Sequence, residues 1–126
     1  MGKRRVTEEA AEAVELDPAA AAELIAGGAQ VVDVRTAEEH AAGHIEHSVH
    51  VPLERLDAEA GELDRERPVV FYCRGGNRSE MAAQAFANSG WNAHSVAGGL
   101  LAWAEAGQPL EPADGTVAES SNLPPP

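Results

Sequence analysis

The sequence predicts an α/β domain with a mainly parallel sheet. Short β-branched runs alternate with Ala-rich segments at helical spacing. Helix start and stop signals fall at the joints of that alternation. The strongest apolar run, at residues 68–72, leads through a Gly-rich turn into a helical segment.

Each element has a local reason. Residues 14–16 form a short edge strand. Asp17 is a good helix N-cap and Pro18 suits the first helical position, so residues 19–26 form a helix that Gly27-Gly28 ends. Residues 31–34 are a β-branched strand. Thr36-Ala37-Glu38-Glu39 fits a capping box, opening a brief helix that stops near Gly43. Residues 50–52 are a further short strand, and the acidic stretch 53–63 is helical in part. After strand 68–72, residues 79–89 show helical spacing of Met81, Ala82, Ala85 and Phe86, with Gly90 as the stop. Residues 91–96 are another strand. Residues 100–106 form a last helix, closed by Gly107 and followed by Pro109.

The chain has 126 residues, one domain's worth. Polar and Ala-rich residues make 1–13 a flexible segment. The Pro-, Gly- and Ser-rich residues 111–126 are expected to be a disordered tail, leaving 14–110 as the folded domain. Hydrophobic residues reach 44% but aromatics only 4%, so the core rests on Ala, Val and Leu. The formal charge is -12, with the basic residues Lys3, Arg4 and Arg5 gathered at the start. An acidic body argues against a nucleic-acid binder. No apolar run approaches the roughly 20 residues that span a bilayer, and no secretory signal is visible, so a cytoplasmic location is expected. A single cysteine excludes a disulfide framework, a dithiol redox pair and a Cys-rich zinc site.

That cysteine stands where chemistry collects in parallel sheets, at the carboxyl end of a strand. The segment reads Cys73-Arg74-Gly75-Gly76-Asn77-Arg78-Ser79. Gly75 and Gly76 open backbone conformations closed to other residues. Successive N–H groups then converge on one spot as an anion nest, and the next helix adds its positive end. Arg74 and Arg78 bring guanidinium groups nearby. These surroundings favour thiolate over thiol and would hold an anion on or beside the sulfur. For an isolated cysteine the ordinary reading is a small buried hydrophobe. Two glycines and two arginines beside it, between strand and helix, favour a reactive thiol.

Cysteine-dependent phosphatases resemble this loop but place an Arg after five intervening residues. Here four residues separate Cys73 from Arg78, and the next position is Ser79. The shorter ring suits a single sulfur atom or small anion better than a phosphoryl group.

Over about residues 14–109 the chain resembles single-domain rhodanese-like sulfurtransferases. Val31-Val32-Asp33-Val34-Arg35 resembles the family's first signature. Glu38-Glu39-His40-Ala41-Ala42-Gly43-His44-Ile45 resembles the second. The segment Cys73 to Ser79 contains a match to the six-residue active loop, Cys73 to Arg78, with Ser79 following it. Gly98-Gly99, Trp103, Gly107 and Pro109 resemble the terminal signature. Glu46-His47-Ser48-Val49-His50 departs from the usual Pro-Gly-Ala type turn.

The resemblance implies a rhodanese-like, mainly parallel five-stranded sheet flanked by helices, and a persulfide on Cys73. The Cys73 nucleophile would take sulfane sulfur from thiosulfate or a persulfide and pass it to cyanide, a small thiol or a protein thiol. The N–H groups from Arg74 to Ser79 would cradle the persulfide. Arg78, then Arg74, would contact an anionic donor, while Gly75, Gly76 and Asn77 shape the loop. No general base, metal or organic cofactor is implied. The alternatives are a noncatalytic rhodanese-like binding or sulfur-carrier module, and a small cysteine phosphatase or arsenate reductase.

Outside the loop, Asp33 and Arg35 are read as a structural ion pair or hydrogen-bond anchor at a buried strand end. His44 belongs to the second motif in the same structural sense. His40, His44, His47 and His50 suggest a metal site by spacing, but Gly43 and the following strand break the segment. Turn-stabilising or solvent-facing histidines are the better reading. His94 is read as a strand residue facing water, and Trp103 as a core residue.

Overall fold

The computed structural model describes residues 13–118. Five strands form one parallel sheet: β1 (Glu15–Leu16), β2 (Gln30–Asp33), β3 (Val49–His50), β4 (Val69–Tyr72) and β5 (Ala93–Val96), in the order β1-β5-β4-β2-β3. Helices α1 (Pro18–Ala26), α2 (Ala37–Ala42), α3 (Leu56–Glu59), α4 (Asn77–Asn88) and α5 (Gly99–Glu105) connect them. Short 3-10 turns flank α3 at Leu53–Arg55 and Ala60–Glu62.

Strand β4 is central and buried on both faces, as a parallel strand must be. Its side chains alternate. Val69, Phe71 and Cys73 enter the core with Ala82, Ala83 and Phe86 of α4 and Leu56 of α3. Val70 and Tyr72 enter the opposite core with Ala21 of α1 and Leu100 and Trp103 of α5. Both layers are built mostly from small and aliphatic residues. Aromatic packing is concentrated where Phe86 meets Phe71 and Trp91 edge-on, at 4.9 and 5.0 Å.

The capping signals act as read. Asp17 Oδ1 accepts from the Ala20 N–H at 2.8 Å, with Pro18 at the first helical position. Thr36 and Glu39 satisfy each other's backbone donors in a capping box.

Three expectations need correction. His94 does not face water; it is 1% exposed. Its Nε2 meets Asn92 Oδ1 and its Nδ1 meets the Ala13 carbonyl, so the ring pins β5 to the chain entering β1. The helix after the cysteine loop begins at Asn77 rather than Ser79, because Gly76 takes the left-handed N-cap position at φ 105°. Residues 111–118 do not leave the body as a tail. Glu111 pairs with His44 in an antiparallel bridge, and Val117 packs against the core on the Tyr72 side. Residues 1–12 and 119–126 lie outside the described residues. Among the described residues, no helix is long and apolar enough to cross a membrane.

Candidate active site

Cys73 follows β4 directly and is 1% exposed. Gly76 turns the chain so that its own N–H donates to Cys73 Sγ at 3.1 Å. The Ser79 N–H, in the first turn of α4, lies 3.4 Å from the same sulfur, and Ser79 Oγ lies 3.5 Å from it. Three donors therefore converge on one sulfur. Each favours negative charge there, and so does the amino end of α4.

Ser79 is itself held in place. Its hydroxyl is 2.7 Å from Ser95 Oγ on β5 and 3.2 Å from the Gly76 carbonyl. A hydroxyl has one proton and two acceptor sites. Donation by Ser95 leaves the Ser79 proton for the sulfur or the carbonyl.

The loop also rests on the turn that opens α5. Leu100 and Leu101 donate their N–H groups to the Cys73 and Arg74 carbonyls at 2.8 and 3.1 Å. Gly99 makes this contact possible. At φ 66° it is in the left-handed region, and a Cβ there would lie 2.3 Å from the Arg74 carbonyl oxygen. The two glycines of the loop differ. Gly76 has positive φ and sits under the Gly98 backbone, whereas a Cβ on Gly75 would meet nothing within 4 Å. Asn77 is exposed as the first residue of α4.

Arg78 does not stand alone at the rim. Its two terminal nitrogens each lie 3.2 Å from a carboxylate oxygen of Glu39, which is 0% exposed. Burial opposes ionisation of Glu39, but hydrogen bonds from Arg78 and the Thr36 backbone outweigh it and lower its pKa. Burial likewise works against the Arg78 charge, yet the Glu39 hydrogen bonds and charge raise its pKa overall. Arg74 Nε donates to the Ala118 carbonyl at 2.9 Å.

Asp33 and Arg35 form a buried bidentate pair, with Arg35 Nε and Nη2 at 2.8 and 2.6 Å from the carboxylate. Arg35 Nη2 also reaches the Gly43 carbonyl at 2.7 Å. Burial raises the Asp33 pKa, but Arg35 and His40 more than reverse that, and it ends below the usual range. His44 Nδ1 meets the His40 carbonyl at 2.8 Å. The His40 ring stacks between those of His44 and His50, at 3.9 and 4.8 Å. These residues lie beside the loop and do not contact the sulfur. Among the described residues no group of three or more His, Cys, Asp or Glu is placed to hold a metal.

Sequence reasoning missed Glu39, Ser95 and Gly99 as supports of the loop. Glu39 carried one signal, its place in the capping box, and that signal accounted for it locally. Nothing in the sequence linked it to Arg78 or linked Ser95 to Ser79.

A parallel five-stranded sheet with a cradled thiol at the central strand–helix turn defines a cysteine-loop α/β domain. Residues 17–106 match the rhodanese-like domain model, and the chain belongs to the rhodanese-like sulfurtransferase family. It is similar to a sulfurtransferase of Allochromatium vinosum, 34% identical over 86 residues, covering 68% of this chain and 80% of that one. It is also similar to the thiosulfate sulfurtransferase GlpE of Pseudomonas paraeruginosa, 34% identical over 104 residues, covering 82% and 91%. Among solved structures, a rhodanese-related protein from Thermoplasma volcanium superposes with a TM-score of 0.71 at 31% identity, covering 76% of this chain and 95% of that chain.

Proposed function

We propose that this chain is an enzyme that moves sulfane sulfur through a persulfide on Cys73. The observation that carries the reading is the convergence of the Gly76 N–H, Ser79 N–H and Ser79 hydroxyl on Cys73 Sγ, within 3.1–3.5 Å. The thiosulfate sulfurtransferase relative supports thiosulfate as a donor. A persulfide donor uses the same chemistry.

In the first half-reaction the Cys73 thiolate attacks the outer sulfur of thiosulfate. A Cys73 S–S bond forms, the S–S bond of thiosulfate breaks, and sulfite leaves with the bonding pair. In the second, cyanide or a thiolate attacks the outer persulfide sulfur. It departs as thiocyanate or a new persulfide, and the Cys73 thiolate is regenerated. The cycle is redox-neutral. One cysteine suffices for this covalent route.

The loop N–H groups would hold the charge as it moves one atom outward, from thiolate to persulfide. The nearly buried Sγ favours a terminal, single-atom target over a bulky phosphoryl centre. Arg78 and Arg74 are proposed as donor contacts, and Asp33, Arg35 and His44 as structural supports. A small-molecule or protein thiol serves as acceptor, and the reducing cytoplasm suits such an acceptor.

The test is intact mass after incubation with thiosulfate. A gain of one sulfur atom that disappears in Cys73→Ser and is discharged by cyanide is expected. No gain, or a gain that survives Cys73→Ser, overturns the reading. Turnover of a phosphate ester without sulfur transfer would point to a phosphatase instead.

A further inference from the structure

Beyond α5 the chain turns back across the end of α2 and reaches the cysteine loop. His44 and Glu111 exchange backbone hydrogen bonds at 3.0 and 2.7 Å. The Thr116 N–H then donates to the Ala42 carbonyl at 2.8 Å. The approach is as close as two backbones allow. A Cβ on Gly43 would lie 2.4 Å from the Thr116 carbonyl oxygen, and one on Gly115 would lie 3.0 Å from the Ala42 carbonyl oxygen. Gly43 has φ 172°, extended backbone open to any residue. The passing strap, not its own conformation, is what demands a glycine there. Val117 adds apolar packing against the core cluster that contains Tyr72, Ile45 and Leu100.

Two residues after Thr116, the Ala118 carbonyl accepts from Arg74 Nε at 2.9 Å. Arg74 is the residue next to Cys73, and its own carbonyl is held by Leu101. The strap therefore joins two parts of the site. Its middle lies on the end of the helix whose Glu39 clamps Arg78, and its far end holds Arg74. We propose that residues 111–118 are a positioning element of the active site, which orders Arg74 at the rim and so sets affinity for an anionic sulfur donor. This rests on the sulfurtransferase reading and adds the residues that tune donor recognition. An arginine already held by the strap loses less freedom when a donor binds.

The test uses two full-chain variants. Gly43→Ala drives a methyl group into the Thr116 backbone, and Thr116→Pro deletes the N–H that holds the strap to Ala42. Should Gly43→Ala fail to fold, Thr116→Pro carries the test, because Thr116 is an exposed residue and the change removes a single strap hydrogen bond. Wild type is first weighed after thiosulfate treatment. Absence of the single-sulfur gain overturns the underlying reading itself. With that gain present, thiosulfate KM and kcat are measured for each variant, with and without Arg74→Ala. We expect the strap variants to raise KM about 2–10-fold, with kcat and persulfide yield at saturating donor unchanged. In the Arg74→Ala background, strap release should raise KM no further. A folded strap variant with unchanged KM overturns the proposal. So does a rise that is equal with and without Arg74, which would mean that the strap acts on donor binding by a route other than Arg74.

Discussion

The Arg78 guanidinium lies across the buried carboxylate of Glu39, with a nitrogen–oxygen distance of 3.2 Å on each side. The pair ties the first turn of α4, just after the cysteine loop, to the helix carrying the second family motif. It also decides where the Arg78 charge sits. Glu39→Gln should cost about 1–3 kcal/mol of stability at pH 7, because a half-buried guanidinium loses its counter-charge. The folded-state pKa of Glu39 is below its ordinary 4.5, so its contribution is present above that value and lost as pH falls through the lowered one. Urea denaturation should show the gap between wild type and variant closing in acid. A constant gap down to pH 3 would mean that lost packing, not charge, is responsible.

Ser79→Ala removes one of the three donors facing the Cys73 sulfur and leaves Ser95 Oγ without its partner. Alkylation of Cys73 by iodoacetamide at pH 7 should slow roughly 3–10-fold, since a hydrogen bond to a charged group is worth more than a neutral one. Ser79→Thr keeps the hydroxyl and should restore most of the rate. An unchanged rate in Ser79→Ala would assign the cradle to the backbone N–H groups alone.

Two glycines a short distance apart should respond in opposite ways. Gly99→Ala forces a methyl group to 2.3 Å from the Arg74 carbonyl oxygen at a left-handed φ of 66°. It should cost more than about 2 kcal/mol and disturb Cys73 reactivity. Gly75→Ala meets open space and should stay within about 0.5 kcal/mol. Thermal melts of the two variants check the contrast, and equal losses would contradict it.

Mild acid should destabilise the domain before the carboxylates titrate. Burial is the largest influence on His40 and lowers its pKa below 6.5. His44 and His50 act the same way, while Asp33 opposes them. Burial lowers His94 as well, against the Ala13 carbonyl contact. A histidine with a depressed folded pKa binds fewer protons folded than unfolded. Its contribution is full above the unfolded value of 6.5 and is lost as pH falls through the folded one. The melting temperature should therefore drop between pH 7.5 and 5.5, and His40→Gln should flatten the slope. A flat profile in wild type over that range would refute the assignment.

Much of the fold was legible because its signals are local. Asp17 and Pro18 start α1, Thr36 and Glu39 form their own capping box, and β4 is a continuous apolar run. Each depends on residues within a few positions. The loop from Cys73 to Ser79 was legible for the same reason: strand, glycines and helix start adjoin. His94 was misread because β5 runs along a face whose partner, the chain entering β1, is 81 positions away.

Local signals along the chain specify the alternation of strands and helices, the location of the thiol at a strand–helix turn, and the four-residue spacing between Cys73 and Arg78. These depend on backbone propensity and spacing along one short stretch of chain. Tertiary structure decided what surrounds that loop. It set Glu39 against Arg78, Ser95 behind Ser79, Gly99 beneath Arg74, and residues 111–118 across Gly43. Those contacts bring together segments distant in sequence. They are selected by the burial of two apolar faces and by the pairing of polar groups that the burial cuts off from water.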